Sequence, residues 1–147
     1  MRFAKLVAGS CLFVVCAAIN SHAGFRNNFS QWSEMDSYAQ YVYIQGVYDR
    51  TTGFGSSDDP TWAIAARNAL TSCAADLKLN SKMLAEAVTK HYQDHPDDWG
   101  FPPHLVFSTV VNRVCLTHIN NERSKFNLEP WKLRNDSIAA QVNANAN

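Results

Sequence analysis

The sequence predicts an all-α fold, a small bundle of about four to five helices with one disulfide. Apolar residues recur at helical spacing in four separate stretches. Proline or a capping side chain stands where most of those stretches begin. Of the four cysteines, only Cys73 and Cys115 remain once an amino-terminal leader is set aside.

That leader is residues 1–23. Arg2 and Lys5 precede an apolar run from Leu6 to Ile19, and Ser21-His22-Ala23 supplies a small-residue cleavage pattern, so cleavage is expected after Ala23. The run is too short to span a bilayer, which takes roughly 20 apolar residues. Lipid attachment does not fit, because Cys16 follows Val14 and Val15 and Cys11 sits too early. The product is expected to be exported and free of the membrane after signal cleavage. Two cysteines in an exported chain read as one bridge, Cys73 to Cys115.

Loss of Arg2 and Lys5 leaves eleven basic against thirteen acidic residues, a net charge near −2. That balance excludes a nucleic-acid binder working through a basic face. The remaining length suits one domain, here residues 24–120, followed by an extension over 121–147.

Residues Gly24 to Ser33 (GFRNNFSQWS) are polar with scattered aromatics and read as a tether. Ser33 or Asp36 can cap a first helix from Met35 to Arg50, striped by Tyr38, Tyr41, Val42 and Tyr48 and broadened by Ile44 and Val47. Gly46 interrupts it, at a cost of about 1 kcal/mol relative to Ala, which suggests that another helix packs close there. Thr51 to Asp59 is a Gly, Ser and Asp loop carrying an exposed Phe54.

Asp59-Pro60 signals a second helix through Trp62, Ile64, Ala65 and Leu70, ending near Cys73. Asn80 or Ser81 opens a third, with Leu84, Ala87, Val88 and His91 or Tyr92 in its stripe and Pro96 as its stop. The connector Asp94 to Pro102 (DHPDDWGFP) concentrates acids, aromatics and prolines and reads as an exposed loop. Pro103 starts a fourth helix through Leu105, Val106, Val110 and Val114 to about His118. The tail ends in QVNANAN, a composition that favours disorder.

Three of these segments resemble a known family. YVYIQGVYD (Tyr41 to Asp49), LNSKMLAEAVTKHYQDHP after Cys73, and VVNRVC closing on Cys115 resemble, in order and spacing, small periplasmic immunity proteins of the Rap and Tai type, which protect bacteria from amidase effectors delivered by type VI secretion. The resemblance covers residues 36 to 116. It implies a mainly helical, often dimeric fold without catalytic residues, in the periplasm, with a cell-wall amidase effector as partner. This chain departs from the pattern in lacking an additional cysteine near the first helix and in extending about 30 residues past Cys115.

Catalytic and metal chemistry find little support in the residues. His91 and His95 stand four apart, a spacing open to metal ligation with Asp94, Asp97, Asp98 and His104 nearby, but a structural role for both imidazoles competes and no paired free cysteine completes a site. Ser108 beside His104 lacks a nucleophile turn and a glycine-rich oxyanion segment. No enzyme activity, cofactor or metal is therefore expected.

The partner-binding expectation falls on the acidic aromatic connector. There Trp99 and Phe101 would anchor, while Asp94, Asp97 and Asp98 would set charge complementarity, with Phe54 on a second loop. The alternative reading of the connector is a plain turn whose Trp99 and Phe101 fold back on the core. The expected function is occlusion of the amidase active site. A different class is the small acid-stress chaperone of HdeA-like type, whose histidines would titrate between about pH 5 and 7.

Overall fold

The computed structural model describes residues 26–53, 55–56, 58–133 and 137–145. The leader and Phe54 lie outside them. The described chain is all helical: α1 (Phe29–Ser33), α2 (Ser37–Thr52), α3 (Thr61–Leu77), α4 (Ser81–Asp94), α5 (Pro103–Val114), α6 (Leu116–Lys125) and α7 (Ile138–Asn145), with a 3-10 turn at Pro96–Asp98. Seven helices exceed the four to five expected. None is long and apolar enough to cross a membrane.

Local chemistry accounts for most of the boundaries. The Asp36 carboxylate accepts the Ala39 N–H at 2.7 Å and starts α2. Asn80 does the same for α4 through the Met83 N–H at 3.0 Å. Pro103 occupies the first turn of α5, where its missing N–H costs nothing. At α3 the expected aspartate cap is absent, because Asp59 instead pairs with Arg67 at 2.7 Å and accepts the Ser56 N–H. The helix also runs past Cys73 to Leu77 and stops where Lys78 turns left-handed.

Two further differences lie in the long helices. The fourth predicted helix divides at Cys115, whose backbone leaves helical geometry so that α5 ends at Val114 and α6 restarts at Leu116. Cys115 is fully buried and bonded to Cys73, which fixes α6 against α3. On α2 the fully buried residue is Ile44, whereas Tyr38 and Val42 of the predicted stripe face solvent. Gly46 meets no neighbour: nothing lies within 4 Å of where a Cβ would stand. It borders an open groove with Tyr43, Val47, Arg50 and His104 instead of a close helix crossing.

The core gathers Ile44, Leu70, Cys73, Leu84, Val88, Tyr92, Val106, Phe107, Val111, Cys115 and Ile119. Trp32, from the segment read as a tether, is fully buried among them and donates its indole N–H to the Thr89 hydroxyl at 3.0 Å. α1 is thus part of the fold, capped by the Asn28 side chain. The tail is corrected too: Gln141 to Asn145, expected to be disordered, lie in α7.

Candidate functional site

The Asp94 to Pro102 connector is held from behind by the end of α4. Tyr92 is fully buried, and its hydroxyl donates to the Phe101 carbonyl at 2.8 Å while its own carbonyl accepts the Trp99 indole N–H at 2.8 Å. Phe29 of α1 closes the other side. Its ring stacks on Trp99 at 5.1 Å and tilts against Tyr92 at 5.1 Å, and its backbone N–H donates to the Trp99 carbonyl. Trp99 nevertheless leaves 48% of its surface in solvent.

Asp98 departs from the expectation of an exposed partner contact. It is fully buried, and its carboxylate accepts three hydrogen bonds: from the His91 ring at 2.8 Å and from the backbone N–H groups of Ile138 and Ala139 at 2.9 Å each. The last two are the first N–H groups of α7, so a carboxylate forty residues upstream in sequence caps the carboxy-terminal helix. Its negative charge also sits at the positive end of that helix. Asp98 therefore faces inward to fasten α7, and the surface charge of the connector comes from its neighbours.

Those neighbours are Asp97, exposed in the 3-10 turn, and Asp94, exposed at the end of α4 and paired with Lys90 at 3.0 Å. Phe101 is half-buried. Asp97, Trp99 and Phe101 share the short segment that follows α4, whereas Asp94 stays on the last turn of α4 itself.

Burial alone would raise the Asp98 carboxyl, but the N–H donors of Ala139 and Ile138 and the His91 ring outweigh it and hold it below the ordinary aspartate value. Burial pulls His91 the other way for a base, lowering it, and the Asp98 carboxylate only partly opposes that. The pair therefore rests as a carboxylate and a neutral imidazole whose Nε2 carries the proton at neutral pH. An imidazole oriented by a carboxylate is also half of a general-base arrangement; among the described residues His91 Nδ1 is buried without a hydrogen-bond partner.

His95 lies beside His91, ring to ring at 4.6 Å. Among the described residues no group of three or more His, Cys, Asp or Glu side chains is gathered to hold a metal. The Ser108 hydroxyl donates to the His104 carbonyl at 3.0 Å, the ordinary backbone bond of a helical serine.

No family model, curated protein or solved structure matches this chain.

Sequence reasoning found the connector but missed its supports. Phe29 falls in the segment expected as a tether, His91 in a helix stripe or a ligand pair, and the start of α7 in the carboxy-terminal extension. The apolar pairing of Phe29 and Trp32 behind Asn28 was a usable signal for α1. Nothing local in the sequence announces that Asp98 caps a helix forty residues on.

Proposed function

We propose that this protein is an exported, non-enzymatic inhibitor of the immunity type, which binds a cell-wall amidase and occludes its active site with the turn around Trp99. The observation that carries the reading is a half-exposed Trp99 beside an exposed Asp97 on a turn pinned from behind by Tyr92, Phe29 and Asp98. Such a turn presents an aromatic anchor and a charge at little ordering cost, which is how a small interface achieves tight binding. The resemblance of the α2, α4 and α5 segments to periplasmic immunity proteins supports the amidase as partner. Export through the leader would deliver the protein to the compartment where the disulfide forms.

The test is capture from the source cells with the oxidised protein at neutral pH, followed by a hydrolysis assay on purified peptidoglycan. A single stoichiometric amidase that loses activity on binding supports the reading; capture of no hydrolase rejects it.

One observation favours the chaperone alternative: the buried His91–Asp98 contact fastens α7, and acid works against both partners of that contact. Release of α7 would uncover Ile138 and the surface it packs on. Suppression of unrelated aggregation at low pH, and not at neutral pH, would select this reading over inhibition.

A further inference from the structure

On the α3–α6 side of the bundle two tryptophans stand at the mouth of a small cleft. Trp62 at the start of α3 is 61% exposed, and Trp131, beyond the end of α6, is 45% exposed. The cleft between them is about 150 Å3, with Leu70 and Ile119 in its lining and Asn112 and Arg123 supplying polar groups. The disulfide ties the C-terminal part of α3 to the start of α6, while Trp62 and Arg123 share the cleft, so the two helices run antiparallel and their far ends form the mouth.

Trp131 is held in place by polar bonds that burial does not require. The Asn120 side chain accepts the Trp131 N–H at 2.7 Å and donates to the Trp131 carbonyl at 3.2 Å, clamping both sides of its backbone. Arg123 donates to the Glu129 carbonyl at 2.6 Å and places its guanidinium 5.7 Å from the Trp131 ring centre. The fold thus fixes an indole that remains half in water.

Size and lining select the occupant. Cofactor and drug-sized pockets run from about 300 Å3 upward, so this one suits a single side chain. A sugar ring would leave most of its hydroxyls unpaired against Ala66, Leu70 and Ile119. Charge selects further. An adjoining cleft shares Trp131 and adds Arg113 and Lys132, and among the described residues neither of these, nor Arg123, is paired with a carboxylate.

We propose that the Trp62–Trp131 cleft is a second docking site, one that takes an apolar anchor residue borne on an acidic segment of a partner protein. Tryptophan and arginine around a pocket with an apolar floor are the residue types on which interface energy concentrates, and the cations, unpaired among the described residues, select acidic flanks and speed encounter. The site is independent of the Trp99 turn and does not rest on the amidase reading.

The experiment is an NMR titration of the oxidised protein, reading the indole N–H signals of Trp62 and Trp131. The probes are a blocked peptide Asp-Asp-Leu-Phe-Asp-Asp, its counterpart with every Asp replaced by Lys, and an N-acetylglucosamine oligomer. The acidic peptide is expected to shift both signals and to bind at least about tenfold more tightly than the lysine peptide, with the difference shrinking as salt rises to about 0.15 M. Trp62→Ala, at a largely exposed position, is expected to weaken it severalfold, as is Asn120→Ala with both indoles retained. Absence of shifts at millimolar peptide, equal affinity for the two peptides, or preferential binding of the oligosaccharide would each overturn the proposal.

Discussion

His91 and Asp98 meet at 2.8 Å in a contact from which solvent is all but excluded, and the same Asp98 carboxylate holds the first two N–H groups of α7. One side chain therefore joins α4, the connector turn and the carboxy-terminal helix. A carboxylate this deep is tolerated because each bond it accepts offsets part of its desolvation.

Removing that carboxylate should be costly. Asp98→Ala strands His91 and the α7 N–H groups, and a loss of about 3 kcal/mol is expected in urea unfolding. Amide exchange over residues 138–145 should rise more than exchange in α3. A cost below about 0.5 kcal/mol, within the range of a surface substitution, would contradict the central role given to Asp98.

Acid should destabilise the protein in two steps. Folded His91 binds its proton at lower pH than in the unfolded chain, so stability is full above about pH 6.5 and falls as pH drops below it. Folded Asp98 is held below the ordinary carboxyl value, so its contribution is present above about pH 4 and is lost as pH falls through the folded value. Urea midpoints from pH 3 to 8 should fall in the same direction in both windows. His91→Gln should remove the upper step and leave the lower one.

The bridge closes a sequence separation of 42 residues and anchors the break between α5 and α6. Reduction, or Cys73→Ser with Cys115→Ser, should cost about 4 kcal/mol, measured by denaturation with and without reductant. An unchanged midpoint would show that the packing of α6 on α3 suffices.

The turn variants separate binding from folding. Asp97→Lys changes an exposed group and should leave the melting temperature within about 1 °C while weakening partner binding at least about tenfold, mainly through slower association. Trp99→Ala should weaken binding and also lose modest stability, because the indole stacks on Phe29 and bonds to the Tyr92 carbonyl. A joint replacement of Trp99 and Asp98 cannot make this separation, since Asp98 belongs to the fold.

The helical bundle was legible where local signals agreed. For α4, the Asn80 cap, the Leu84, Val88 and Tyr92 stripe and the Pro96 stop all point to one element. Failures arose where tertiary contacts decide. Five residues of α1 carry too little periodicity to register, yet Trp32 fills the core. The periodicity of α5 continues through Cys115, so the break there depends on the packing of α6 and its bridge to α3. The short, low-complexity sequence of α7 gives no local start signal, because its capping partner is the distant Asp98. For the site, composition located the turn, but which of Asp97 and Asp98 faces outward depends on a 3-10 twist that composition does not encode.

The proposed occlusion of an amidase by the Trp99 turn can be read directly from inhibition. The most direct measurement is a titration of the captured partner's peptidoglycan hydrolysis with wild-type and Asp97→Lys protein at neutral pH. Full inhibition at one molecule per enzyme is expected for the wild type, and a curve displaced at least about tenfold for the variant. Uninhibited hydrolysis at stoichiometric excess, or superimposable curves for the two proteins, would contradict it.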